Sequence, residues 1–156
     1  MQQLFISDLH LHESRPEVTA AFFSFLETDA NEADELYILG DFFEVWIGDD
    51  DDSPFALEII ERLSKLQDHN TALFVMHGNR DFLYGEQFCT ACNAIFLADP
   101  TTIKLANGEH ALLMHGDTLC TDDVEYMAFR EQARNPVWQQ QLLSQGLEVR
   151  RQLAEQ

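Results

Sequence analysis

Four short clusters of ligand-type side chains stand out in the chain: "SDLH" (residues 7–10), "LGD" (39–41), "HGNRD" (77–81) and "MHGD" (114–117). Between them Asp8, His10, Asp41, Asn79 and His115 offer carboxylate, imidazole and amide donors, the set that hard and borderline divalent cations take. In "LFISDLHLH", Asp8, His10 and His12 fall at every second position, so an extended strand would send Asp8 and His10 to one face. A D-x-H triplet alone suits a solvated strand end equally well. Repetition changes the reading. Each cluster closes an apolar run, and three carry a glycine (Gly40, Gly78, Gly116) where a backbone must bend tightly or approach a ligand.

The apolar runs are the elements that must position these residues. "QLFISD", "ELYILGD" and "TALFVMHGNRD" read as strands, and "AIFLADP" as one more. "PEVTAAFFSFLETDA" and "DDSPFALEIIERLSKLQDH" have helical apolar spacing, with Pro16 suited to a first turn. "FLYGEQFCTACN" holds a short helix, and "TTIKLANGEHALLMHGD" a hairpin around Asn107-Gly108. Strands alternating with helices imply an α/β sheet covered on both faces. In open α/β sheets ligands sit beyond the carboxyl ends of the strands, and that edge would gather Asp8, His10, Asp41, Asn79 and His115 from distant positions.

Composition narrows the classes. At 156 residues with 46% hydrophobic side chains, one domain with a sizeable core is expected rather than a disordered chain. Nine basic residues face 28 acidic ones, a formal net charge of −19, and Arg15 is the only basic residue before Arg62. Such a surface repels nucleic-acid backbones and anionic membranes, so no nucleic-acid partner is expected. A phosphate substrate fits only where bound cations neutralise the pocket locally. The opening "MQQLFISD" lacks a basic segment and a long apolar core, so a cytoplasmic chain is the expectation.

"DLH", "GD", "GNRD" and "HGD", in this order, resemble the calcineurin-like metallophosphoesterase family. The longer blocks "FISDLHLHESRPEVTAAFFSFL", "LYILGDFFEVWIGDDD", "HGNRDFLYGEQF" and "LLMHGDTLCTDD" resemble its branch that cleaves the pyrophosphate of UDP-2,3-diacylglucosamine in lipid A biosynthesis. Arg80 in "GNRD", where the wider family has histidine, matches that branch. The resemblance implies an α/β sandwich of mixed sheets flanked by helices. It also implies two divalent cations, usually Mn²⁺: Asp8 and His10 on the first, Asp41 bridging, Asn79 and His115 on the second. Asn79, Arg80 and Asp123 would contact substrate. The products would be UMP and 2,3-diacylglucosamine 1-phosphate. A lipid substrate further implies peripheral contact with the cytoplasmic face of the inner membrane. A phosphoesterase acting on nucleotides or phosphoproteins would use the same metals, and an inactive scaffold is a third reading.

One departure bears on all of this. The family's downstream G-H-x-H pair is absent, and no histidine follows His115 before Gln156. The expectation is therefore an incomplete core over residues 1–135 and the start of a helical insertion or lid over 136–156, with weak activity in this stretch alone. In the family that insertion lines an acyl-chain groove; here Trp138, Leu142, Leu143 and Leu147 have partial helical spacing. Plainer roles are expected elsewhere. His12 is expected beside the ligands, His77 as a structural histidine, and His69 and His110 on the surface. Asp81 and Asp117 would orient their turns, and Asp122 or Asp123 would cap a helix in "TDDVEYMAF". "CTAC" reads as reduced, buried or half-buried thiols, and "GDDDD" as a solvated acidic loop.

Overall fold

The computed structural model describes residues 1–155. Strands β1 (Gln3–Ile6), β2 (Glu35–Leu39), β3 (Ala72–Met76) and β4 (Ala94–Phe96) form one parallel sheet in that order. Helices α1 (Pro16–Phe25), α2 (Pro54–Ser64) and α3 (Glu86–Cys92) make the three crossovers. The period of two along each strand sorts the side chains between faces. Leu36 and Ile38 of β2, with Leu73 and Val75 of β3, join Phe22, Ile59, Leu63 and Phe88 from all three helices in the main core. Each such side chain contributes about 1.5–3 kcal/mol on burial.

The alternate residues face the other way. Tyr37, Met76 and Leu113 are the centre of a smaller cluster with Leu39, Phe74 and Ile103. Its cover is the antiparallel hairpin β5 (Thr101–Lys104) and β6 (His110–Leu113), which turns through Gly108 at φ +90°. The parallel register sets Phe5, Tyr37 and Phe74 side by side, with ring centroids 4.8 and 4.6 Å apart. The α/β fold with a parallel sheet and a small antiparallel one agrees with the sequence reading.

Local signals explain the helix starts. Pro54 and Pro136 occupy first turns, behind Ser53 and Asn135, whose side chains accept from Ala56 N and from Val137 and Trp138 N. The apolar run after Pro16 is not one helix: α1 ends at Phe25 and Leu26–Ala30 winds on as a π turn. After the hairpin come α4 (Val124–Ala133), α5 (Pro136–Leu143) and α6 (Leu147–Ala154), the last two separated at Gly146, which is the N-cap of α6. Among the described residues, no helix is long and apolar enough to cross a membrane.

The acidic segment is a correction to the sequence reading. Asp49 accepts from Trp46 Nε1 at 3.1 Å and from Gly85 N and Phe88 N at 3.0 and 2.9 Å, fastening the start of α3. Asp50 grips Arg150 of α6 through both carboxylate oxygens at 2.7 and 2.6 Å. Asp51 and Asp52 both meet Arg151. The run is a set of anchors rather than a solvated loop. The "CTAC" thiols of Cys89 and Cys92 are free and buried, as the sequence reading expected, whereas Cys120 is exposed. Burial pushes the Cys89 and Cys92 thiols up to about 11 and about 12, so both stay protonated.

Candidate metal centre

Asp8 and His10 converge, but not as alternate residues of a strand. β1 ends at Ile6, and Asp8, His10 and Asp41 all adopt left-handed backbone, at φ 56°, 50° and 48°. Such conformations are costly for residues with a Cβ and gather where geometry serves a function. The loops after β1 and β2 continue side by side beyond the sheet. Asp8 N donates to Gly40 O at 3.1 Å, His10 N to Asp41 O at 2.9 Å and Leu11 N to Phe42 O at 2.9 Å. This pairing sets Asp8 and His10 against Asp41.

Asp41 is the hub, with only 3% of its surface exposed. Its Oδ2 lies 3.6 Å from His10 Nε2 and 3.6 Å from His115 Nε2. His10 Nε2 is 3.9 Å from Asp8 Oδ1, and donor atoms of Asp8, His10 and Asp41 all fall within 4.8 Å of one another. On the other side His115 Nε2 meets Asn79 Oδ1 at 2.9 Å. All five candidate ligands are thus in one cluster. Burial works to raise the Asp41 carboxyl, but hydrogen bonds with His115 and Arg80 N hold it below its usual range. The bond with Asp41 pushes the His115 imidazole up to about 9. A buried carboxylate facing two imidazoles favours positive charge between them, and a divalent cation fits that demand.

Two glycines and one aspartate let the loops stack. A Cβ on Gly78 would overlap Asp41 N and Oδ1, and one on Gly40 would lie 2.6 Å from His115 Nδ1. Asp81, fully buried, accepts from Gly78 N at 2.9 Å, Asp41 N at 3.2 Å, Phe42 N at 2.8 Å and Phe43 N at 3.2 Å. Burial pushes its carboxyl up to about 6. Asp81 orients the two loops, and Asp117 does the same for the His115 loop. It accepts from Tyr126 OH and, at 2.8 Å, from Arg130 Nε. Arg134 Nη2 donates to Gly78 O at 2.8 Å, so α4 buttresses two of the loops.

His12 is not in the cluster; its Nδ1 bonds Ser14 Oγ at 2.7 Å. The strand-face argument fails for it because the strand has already ended. His77 is structural in its contacts, with Nε2 on Tyr84 O at 2.6 Å. His69 and His110 are exposed. Asp123 caps α4, accepting from Tyr126 N at 3.0 Å. The sequence reading missed Glu44, whose Oε2 meets His10 Nδ1 at 3.0 Å and whose Oε1 accepts from Arg80 Nη2 at 2.7 Å. Its only sequence signal was a lone acid within the apolar run "FFEVWI".

Beside the cluster runs a groove of about 550 Å³. Asn79 and Arg80 stand in its lining, and Trp46, Phe82, Trp138 and Leu142 contribute apolar walls. A polar, cation-ready end joined to an apolar channel suits an amphipathic phosphate ester.

Residues 1–152 match the calcineurin-like phosphoesterase family. The chain is 56% identical over 156 residues to the UDP-2,3-diacylglucosamine hydrolase of Cellvibrio japonicus, covering all of this chain and 65% of that protein. It is 53% identical to the protein of the same name in Marinobacter nauticus, again along its whole length and over 64% of that relative. In Chromohalobacter salexigens the identity is 52% over 154 residues, or 99% of this chain and 62% of the relative. The chain thus spans somewhat less than two thirds of the curated relatives it matches.

Proposed function

Because the chain belongs to the calcineurin-like phosphoesterase family, we propose that it serves metal-dependent hydrolysis of the pyrophosphate bond of UDP-2,3-diacylglucosamine. The products are UMP and 2,3-diacylglucosamine 1-phosphate. The observation that carries this reading is Asp41 Oδ2, placed 3.6 Å from both His10 Nε2 and His115 Nε2, in a cluster whose Asn79 lines an apolar groove. Asp8, His10 and Asp41 would hold one divalent cation, and Asp41, Asn79 and His115 a second, with Mn²⁺ the proposed metal. Such a pair would supply neutralisation of phosphoryl charge and activation of water.

The chain's own residues supply the rest. Asn79 contributes a neutral amide oxygen, limiting negative charge next to phosphate. Arg80 offers a guanidinium fork for phosphoryl oxygens. Water adds to one phosphorus and gives up a proton to solvent, the bridging P–O bond breaks, and the departing phosphate keeps the electron pair. Trp46, Phe82, Trp138 and Leu142 receive the acyl chains and keep bulk water from them. Residues 136–155 form a lid over that groove, with Trp138, Leu142 and Leu153 in its lining, and Asp123 approaches the substrate from the cap of α4. Val137, Val149 and Leu153 are exposed apolar residues on α5 and α6, which supports contact with the cytoplasmic face of the inner membrane, where an acylated substrate resides.

Titrating Mn²⁺ into the protein and into Asp41→Ala by calorimetry tests the centre. Loss of the shared carboxylate is expected to weaken binding by more than about 100-fold, above the range for residues that merely support a ligand. Equal affinity in the two proteins overturns the assignment. Quenching of Trp46 and Trp138 fluorescence by UDP-2,3-diacylglucosamine, but not by UDP-N-acetylglucosamine, tests the groove.

A further inference from the structure

We propose that Glu44 is a positioning residue that sets His10 for its metal and Arg80 for phosphate through a single carboxylate. This deepens the reading above and rests on it. Glu44 follows Asp41 by three residues, and its backbone N donates to Leu11 O at 3.0 Å, so its main chain is pinned to the loop that carries His10. From there it reaches both functional groups.

Toward His10, Oε2 meets Nδ1 at 3.0 Å while Nε2 points at Asp8 and Asp41, 3.9 and 3.6 Å away. A carboxylate on Nδ1 places the ring proton there, leaves the Nε2 lone pair toward the cation, and makes it a stronger donor. Toward Arg80 the hold is double. The Glu44 carbonyl accepts from Nε at 3.1 Å, and Oε1 accepts from Nη2 at 2.7 Å. Backbone and side chain together fix the plane of the guanidinium, and Nη1 takes no part in this hold. A flexible arginine loses entropy when it grips phosphate, so an arginine oriented beforehand binds at lower cost. Arg15 Nη2, 3.8 Å from Oε2 and bonded to His10 O, adds a second cation beside the carboxylate. Two guanidinium groups offset a negative charge that would otherwise repel the substrate.

An ordinary surface ion pair is the competing account. It requires only that Glu44 and Arg80 attract one another, and it leaves the tautomer of His10 indifferent to Glu44. The two accounts separate with Glu44→Gln, which keeps an oxygen acceptor for His10 Nδ1–H but removes the negative charge that faces Arg80, and Glu44→Ala, which removes both.

The experiment has three readouts. Ring ¹⁵N shifts in the metal-free protein report the His10 tautomer, calorimetry reports Mn²⁺ affinity, and titration of the Mn²⁺-loaded protein reports affinity for inorganic phosphate. Glu44→Ala is expected to lose the Nδ1–H tautomer and about 10- to 100-fold in Mn²⁺ affinity. Glu44→Gln is expected to keep the tautomer and lose less than about threefold for the metal, yet bind phosphate about tenfold more weakly. Unchanged tautomer and metal affinity in Glu44→Ala overturn the inference. Equal losses in both variants, accompanied by a lower melting temperature, also overturn it, because they describe a structural residue only. The reading beneath it fails separately: if the parent takes up Mn²⁺ no better than Asp41→Ala, there is no such centre and the inference falls with it.

Discussion

At the scale of single residues, the site is a matter of which charges burial tolerates. Asp41, Asp81 and His77 are close together in the fold, and each is shifted in its own way by its partners. Asp41 faces two imidazoles; Asp81 faces four backbone N–H groups. His77 Nε2 donates to Tyr84 O, and the ring packs between the Tyr84 and Phe96 rings, with centroids 4.5 and 4.7 Å away. Burial pushes its imidazole down from 6.5 to about 4. With Tyr84 O as acceptor, the neutral ring carries its proton on Nε2. The unfolded chain therefore binds a proton that the folded chain refuses, and the contribution is complete above about pH 6.5 and lost as pH falls toward 4. Urea unfolding at pH 7 and pH 4.5 should show the parent losing about 2–3 kcal/mol more than His77→Gln. Identical pH slopes in the two proteins would contradict a buried neutral ring.

At the scale of elements, α6 is held less by apolar packing than by charge. Arg150, 4% exposed, bonds both oxygens of Asp50, Ile47 O at 2.6 Å and Gln145 O at 2.9 Å. Removing one member of such a pair strands the other and frees two carbonyls. Because α6 is the last helix described, the cost is local rather than global. Arg150→Met should lower hydrogen-exchange protection of the α6 amides by about tenfold or more, while β2 and β3 amides stay as they were. Unchanged α6 protection would show that the acidic anchor contributes nothing. The strands and helices themselves were legible in the sequence because periods of two and near 3.6 are local properties. The role of "GDDDD" was not, since Asp50 and its partner Arg150 are separated by 100 residues. The strand-face argument for Asp8 and His10 reached the right pair by the wrong route, because nothing local announces a left-handed aspartate or histidine.

At the scale of the whole molecule, the formal charge of −19 acts on every element at once. Self-repulsion opposes the compact state, and added salt screens exposed charges more than buried pairs such as Asp41–His115. Raising NaCl from about 20 mM to about 0.5 M should therefore raise the melting temperature by a few degrees. A fall would mean that exposed attractive pairs outweigh the repulsion. The same excess of acid explains why the candidate site concentrates what cation it has: Arg15, Arg80, Arg130 and Arg134 all bond residues at or next to the metal cluster.

By itself the sequence determined the α/β alternation, the edge at which chemistry gathers and the identity of the five candidate ligands, because apolar periodicity and donor type are written residue by residue. Only the tertiary structure decided how those donors meet. Asp41 became the hub through left-handed loops zipped beyond the sheet, and Asp81 became their clasp. Glu44 was drawn into the site by partners 34 and 36 residues away. Contacts of that kind depend on where the folded chain returns, and no window along the chain contains both halves of them.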